Sequence, residues 1–307
     1  MKTYVPLISQ HDDELAQAML FFLDAVAIRS RSATGRTIMS YSDVLWQFLQ
    51  FSHQHSVSTL EQVTPALINR YLLMKRPNVS LHTLLKHYAI LHAFWNWCMS
   101  QELVDKDIFR KVEKPRPPVK TKPALTEEQV NAILKACEGR DWTRLRDKAL
   151  VLFLMDTGAR ASEVHGVKVA DVSKSTIVLR GKGSKERMAF LSNPTRLAIL
   201  KYLKACPFHP APDQPLWWGK YGRPLTWHGI LEIVEDIGKR AGISPLGCHV
   251  FRRTFATWSL RAGIDLHRLQ LLMGHSDMRT TQHYLATLED DLREAHQKFS
   301  PVRHLKT

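Results

Sequence analysis

Residues Val112–Pro123 read VEKPRPPVKTKP, with four prolines, four basic residues and almost nothing apolar. Proline removes a backbone donor and blocks continuation of a helix, so the stretch predicts an extended linker over residues 112–124. It divides the 307-residue chain into an N-terminal domain of residues 1–111 and a C-terminal domain of residues 125–307. The length fits two ordinary domains better than one. With 44% apolar residues, each part can build a core, which argues against disorder.

The N-terminal part reads as a helical bundle of four or five helices. Ile38, Tyr41, Leu45 and Phe48 recur at spacings of three and four, one face of a helix. Thr64-Pro65 is a helix start, with Thr as cap and Pro in the first turn. Leu84, Tyr88, Leu91, Trp95 and Cys98 form another stripe. Trp95 and Trp97 are expected in the core rather than as stacking platforms for bases.

The C-terminal part opens with a capping box, Thr126 to Gln129. Helix is predicted to about Asp156, with Gly158 as its stop. Thr176–Arg180 is short and β-branched, Gly181–Ser184 is a turn, and Met188–Leu191 is the returning strand. Asn193-Pro194 opens a further helix, and helical patterns recur at Ile230–Ile237, Val250–Leu260, Leu266–Met273 and Met278–Ala286. The fold class is therefore mainly α with a small antiparallel β-sheet.

Net charge is +14, and its distribution matters. Residues 1–111 carry 11 Lys/Arg against 9 Asp/Glu, and residues 125–307 carry 28 against 19. A polyanion, nucleic acid first, is the expected partner. Cys98, Cys137, Cys206 and Cys248 are scattered without zinc-ligand or redox spacing, so buried, reduced thiols are expected. The longest apolar run, Ala149–Met155, is too short for a bilayer span. The first ten residues lack a secretory pattern, which points to the cytoplasm and away from membranes.

Four short stretches carry chemistry: Thr157–Glu163 (TGARASE), Gly181-Lys182-Gly183, His249-Val250-Phe251-Arg252, and Leu272–Ser276 (LMGHS), with Tyr284 nine residues after His275. Each alone is weak, since a lone Arg or His is usually a solvated or structural residue. Together and in this order they resemble the tyrosine recombinases, the phage-integrase-type family. The family pattern of Arg, Lys, His-x-x-Arg, His or Trp, and Tyr is filled by Arg160, Lys182, His249, Arg252, His275 and Tyr284. Glu163 matches the acidic residue that follows the first Arg. The stretch LMGHSDMRTTQHY is the most specific match, and the tail Asp291–Pro301 resembles the last helix of Xer-type members. Ala159, Phe251 and Arg253 depart from the common residues without removing a functional group.

These residue types suit phosphoryl chemistry. Attack on a phosphodiester adds charge to its nonbridging oxygens, which the guanidinium forks of Arg160 and Arg252 can hold. Fixed cations of this kind stabilise the transition state and can replace a metal. Tyr284 supplies a nucleophile whose phosphate ester preserves the bond energy, so rejoining needs no ATP. Lys182 can protonate the leaving 5′ oxygen; Lys185 lies three residues on, and the Gly-Lys-Gly pattern favours Lys182. His249 can exchange a proton with the tyrosine hydroxyl, and His275 can donate to a phosphate oxygen. Glu163 would orient His249 or a neighbouring Arg.

The resemblance implies a site-specific recombinase without cofactor or metal. It would cut duplex DNA through a 3′-phosphotyrosine intermediate and a Holliday junction. A helical core-binding bundle and an α+β catalytic domain would clamp the duplex. Four protomers, as a homo- or hetero-tetramer, would act on two sites, with the tail docked on a neighbour. Leu288, Leu292, Ala295 and Phe299 give that tail one apolar stripe. At most about twenty residues precede the bundle, too few for a separate arm-binding domain, which favours a simple Xer-like or small mobile-element recombinase. A type IB topoisomerase shares the chemistry but acts as a monomer. A non-catalytic DNA-binding protein would not need Arg160, His249, Arg252 and Tyr284. A metal-dependent nuclease would need a carboxylate cluster that the sequence lacks.

Overall fold

The computed structural model describes residues 4–29, 35–118, 123–181 and 186–274. The chain divides into two units, Met1–Val119 and Lys120–Thr307, and the division falls inside the proline-rich segment.

The first unit holds α1 (Val5–Ile8), α2 (Glu14–Arg29), α3 (Arg36–Gln54), α4 (Pro65–Lys75) and α5 (Leu81–Ser100). Helix α4 starts where the Thr-Pro pair dictates: the Thr64 side chain accepts from the Leu67 N–H at 3.2 Å. Ser80 caps α5 in the same way, accepting from Thr83 at 3.1 Å. The core is the sum of the apolar stripes, with Met19 and Phe22 from α2, Leu45 and Phe48 from α3, Tyr71 from α4, and Tyr88, Leu91 and Trp95 from α5. Trp95 and Trp97 are both buried, and the Trp95 indole N–H donates to the Lys106 carbonyl at 2.9 Å. Neither ring is a platform for bases.

The second unit begins with α6 (Glu127–Ala136), where Thr126 and Gln129 exchange the two hydrogen bonds of a capping box. Its entry segment is tied to a later helix, α11 (Cys248–Arg261). Thr254 accepts from the Leu125 N–H at 2.9 Å, and the Trp258 indole donates to the Leu125 carbonyl at 3.1 Å. Between them run α7 (Trp142–Thr157), α8 (Ala161–His165), β1 (Thr176–Arg180), β2 (Glu186–Phe190), α9 (Asn193–Ala205) and α10 (Trp227–Arg240). Helix α12 (Leu266–Met273) follows α11. Leu150, Phe153 and Leu154 of α7 pack with Ile199 and Tyr202 of α9, Val234 of α10 and Phe251 of α11 in one core.

Two features depart from the reading of the sequence. The return strand starts at Glu186, not at Met188, and pairs antiparallel from Arg180↔Glu186 to Thr176↔Phe190. Its charged beginning hides it: Glu186 pairs with Arg180 across the hairpin at 3.1 Å, and Arg187 points inward. The second feature is α8, a single short helix opened by Arg160, which has no apolar periodicity long enough to announce it. The four cysteines are free and buried, with no disulfide among them. Among the described residues, no helix is long and apolar enough to cross a membrane.

Candidate active site

Helix α7 ends at Thr157 because Gly158 adopts the left-handed conformation, with φ of 57°. A Cβ there would lie 2.8 Å from the Phe255 ring, so glycine is required by space as well as by φ. The chain then turns out through Ala159, and Arg160 takes the N-cap position of α8 in an extended conformation. Glu163, one turn on, holds it twice. Its carboxylate accepts from the Arg160 N–H at 3.0 Å and from Arg160 Nη1 at 2.8 Å. The Arg160 guanidinium is fixed at one edge, and the side chain as a whole remains 36% exposed.

Glu163 is only 2% exposed and has a second cation. Arg187 Nη2 donates at 2.7 Å to Oε2, the oxygen that also accepts the Arg160 N–H. Burial works to raise the Glu163 pKa. The hydrogen bond and charge of Arg187, together with both Arg160 contacts, outweigh it and hold the carboxyl below its ordinary value. The structure thus places Glu163 on two arginines and not on His249.

Helix α11 presents His249 and Arg252 three residues apart, on one face. Arg252 is 3% exposed. Its Nη1 donates to the Gly158 carbonyl at 2.8 Å and its Nη2 to the Met273 carbonyl. It therefore joins the turn before Arg160 to the end of α12. His249 lies at the surface beside these cations. Desolvation, then the charges of Arg252, Arg160 and Arg253, hold its pKa below the usual 6.5. Its imidazole is neutral near pH 7 and able to accept a proton.

The structure accordingly brings Arg160, Glu163, His249 and Arg252 together around two helix ends. The last described residue of α12's cap, Gly274, directly precedes His275. Lys182, its alternative Lys185, His275 and Tyr284 lie outside the described residues, as do the pattern at 278–286 and the tail stripe at 288–299. Tyr71, Tyr88 and Tyr202 are buried, and burial pushes their hydroxyls up, the opposite of what a nucleophile needs.

Sequence reasoning missed Arg187. Its signal is a cation at an inward position of a strand, where the alternation of β2 calls for an apolar residue beside Ala189. One group among the described residues has the composition of a metal site, His11, Asp13 and His53 in the first unit. There Asp13 pairs with His53 at 3.0 Å and accepts from the Ala16 N–H at 3.1 Å, so an ion pair and a helix cap account for its contacts.

Comparison with known proteins decides the family. Residues 123–290 match the model of the phage integrase family. The chain belongs to this family. It is 30% identical over 279 residues to the tyrosine recombinase XerD of Halalkalibacterium halodurans, covering 88% of this chain and 93% of that protein. It is 31% identical to the tyrosine recombinase XerA of Saccharolobus solfataricus, covering 93% and 94% of the two chains. Among solved structures, the XerH recombinase bound to difH after cleavage aligns with a TM-score of 0.69 at 21% identity, over 95% of this chain and 92% of that one. The Tn1549 transposon integrase with transposon right-end DNA aligns at 0.70 and 19%, over 92% and 99%. At such identities the structural likeness speaks for the phage integrase fold, and the sequence relatives carry the family itself.

Proposed function

We propose that this tyrosine recombinase cuts DNA at a specific site with Tyr284, inside a phosphate clamp built on Arg160 and Arg252. The observation that carries the reading is the clustering of Arg160, Arg252 and His249, with Arg252 bound both to the turn before Arg160 and to the end of α12.

The Tyr284 hydroxyl attacks the scissile phosphorus and gives up its proton to His249. The bond from phosphorus to the 5′ oxygen breaks, and Lys182 protonates the departing oxygen. One phosphodiester is exchanged for a 3′-phosphotyrosine ester, so the number of ester bonds is unchanged and no ATP is consumed. A 5′ hydroxyl from the other duplex then attacks the phosphotyrosine, restoring DNA and releasing tyrosine. Repetition on the second strand pair passes through a Holliday junction. Arg160, Arg252 and His275 contact the nonbridging oxygens, where charge grows in the transition state. Unlike a phosphate clamp made by a metal, this one is always in place, because a guanidinium does not lose its proton at any working pH.

The substrate is double-stranded DNA, and the excess of basic residues in 125–307 supports it. Residues 1–111 form the core-binding domain, 112–124 the linker and 125–307 the catalytic domain. Four protomers, alike or of two kinds, act on two sites, with the tail after Tyr284 docked on a neighbour. The test is Tyr284→Phe on a nicked suicide duplex, resolved on a denaturing gel. DNA binding should persist while the covalent adduct vanishes. An adduct that persists in the variant overturns the assignment.

A further inference from the structure

Arg187 occupies an inward position of β2, opposite Leu179, on a face otherwise apolar. A cation there is costly unless paired and hydrogen-bonded. Its side chain is 6% exposed, and its guanidinium gathers three partners from three separate elements. Nη2 pairs with Glu163 at 2.7 Å. Both Nη1 and Nη2 donate to the Thr157 carbonyl at 3.2 Å, at the end of α7. Nη1 also donates to the Leu272 carbonyl, in the last turn of α12. The last carbonyls of a helix have no partner within it and carry partial negative charge, so a cation suits both ends. The stem of Arg187 is in equally close register with the chain. Gly274 caps α12 with φ of 61°, and a Cβ there would lie 2.6 Å from Arg187 Cδ.

We propose that Arg187 is a positioning residue for DNA cleavage, setting the end of α12 at a fixed distance from Arg160 through Glu163. This rests on the reading that Arg160 holds the scissile phosphate and that His275 and Tyr284, which follow α12, complete the site. The part assigned to Arg187 is to hold protein to protein, because its guanidinium is anchored on the Glu163 carboxylate as well as on two backbone carbonyls. It fixes where the segment carrying the nucleophile begins. Lysine cannot replace it, because one ammonium cannot span a carboxylate and two carbonyls in a plane.

The test uses the full chain and a nicked suicide duplex bearing a site that wild-type protein selects from a randomised library. Arg187→Lys acts from the arginine, and Gly274→Ala acts from the opposite side by crowding Cδ and straining the left-handed cap of α12. Each should keep the wild-type dissociation constant for the duplex within about threefold and unfold cooperatively. Covalent-adduct formation in a single turnover should fall about 100-fold, the scale set by a misplacement of about 1 Å. Folded variants that cleave at the wild-type rate overturn the proposal. If binding and cleavage fall together, or both variants lose the cooperative transition, Arg187 serves only the stability of the fold, and the proposal is overturned too. Wild type and Tyr284→Phe run alongside separate the two readings: an adduct in the first and none in the second keeps the nucleophile secure whatever Arg187 does. No adduct in the wild type overturns both.

Discussion

Arg187 and Arg252 hold successive carbonyls of the same two helix ends: Thr157 and Leu272 for Arg187, Gly158 and Met273 for Arg252. One arginine comes from β2 and the other from α11, so four elements are fastened at one point. The two arginines differ in what else they hold. Arg187 is anchored to a buried carboxylate, and Arg252 lies beside His249 and adds its charge there.

The guanidinium forks make Arg160→Lys and Arg252→Lys the direct test of the phosphate clamp. Each keeps the charge and loses the planar fork. Cleavage should slow by about 100- to 1000-fold, equivalent to about 2.7–4 kcal/mol, the usual loss for one transition-state donor. Arg160→Lys is the cleaner of the two, because Arg252 also fastens the two helix ends. Single-turnover cleavage at the wild-type rate in both variants would remove these residues from the clamp.

A sulfur substitution identifies the general acid. A 5′-bridging phosphorothioate leaves with little need of a proton, so Lys182→Ala should be slow on ordinary DNA and largely restored on the sulfur substrate. Lys185→Ala should respond equally to both substrates. The reverse pattern moves the acid to Lys185.

Removing Glu163 leaves Arg187 buried without its anion. Glu163→Ala should cost about 3–5 kcal/mol in denaturant unfolding, the usual result of breaking a buried pair from one side. The pH dependence has a definite sign. The folded pKa of Glu163 is lowered from 4.5, so its contribution is present above that value and is lost as pH falls through the lower folded one. The variant should show a flatter stability profile in that range. An equal stability of both proteins at pH 7 would contradict the pairing.

Proton transfer to His249 sets the acid limb of cleavage. Its pKa is lowered below 6.5 by desolvation and by Arg252, Arg160 and Arg253, so the accepting form persists to lower pH than in free histidine. The rate should fall with pH only below 6.5, and His249→Gln should be slower by about 100- to 10,000-fold with that limb gone. A limb unchanged in His249→Gln would assign the titration to another group.

Much of this molecule is determined locally, and so was written in the sequence. Thr64-Pro65, the Thr126–Gln129 capping box and Gly158 act within one helical turn, and each starts or stops a helix where its chemistry dictates. The stripe from Leu84 to Cys98 repeats with the period of a helix and is buried. The membership of Arg160, His249 and Arg252 in one site could be read from their order and types, because the family pattern fixes both. Tertiary structure alone decided what these residues touch. Glu163 meets Arg187 across 24 positions of chain, and Arg187 meets Leu272 across 85, separations at which no periodicity or capping signal operates. The early start of β2 shares that cause in part: Arg187 is stable at an inward strand position only because Glu163 and the carbonyls of Thr157 and Leu272 satisfy it, and local propensity carries no trace of a distant partner.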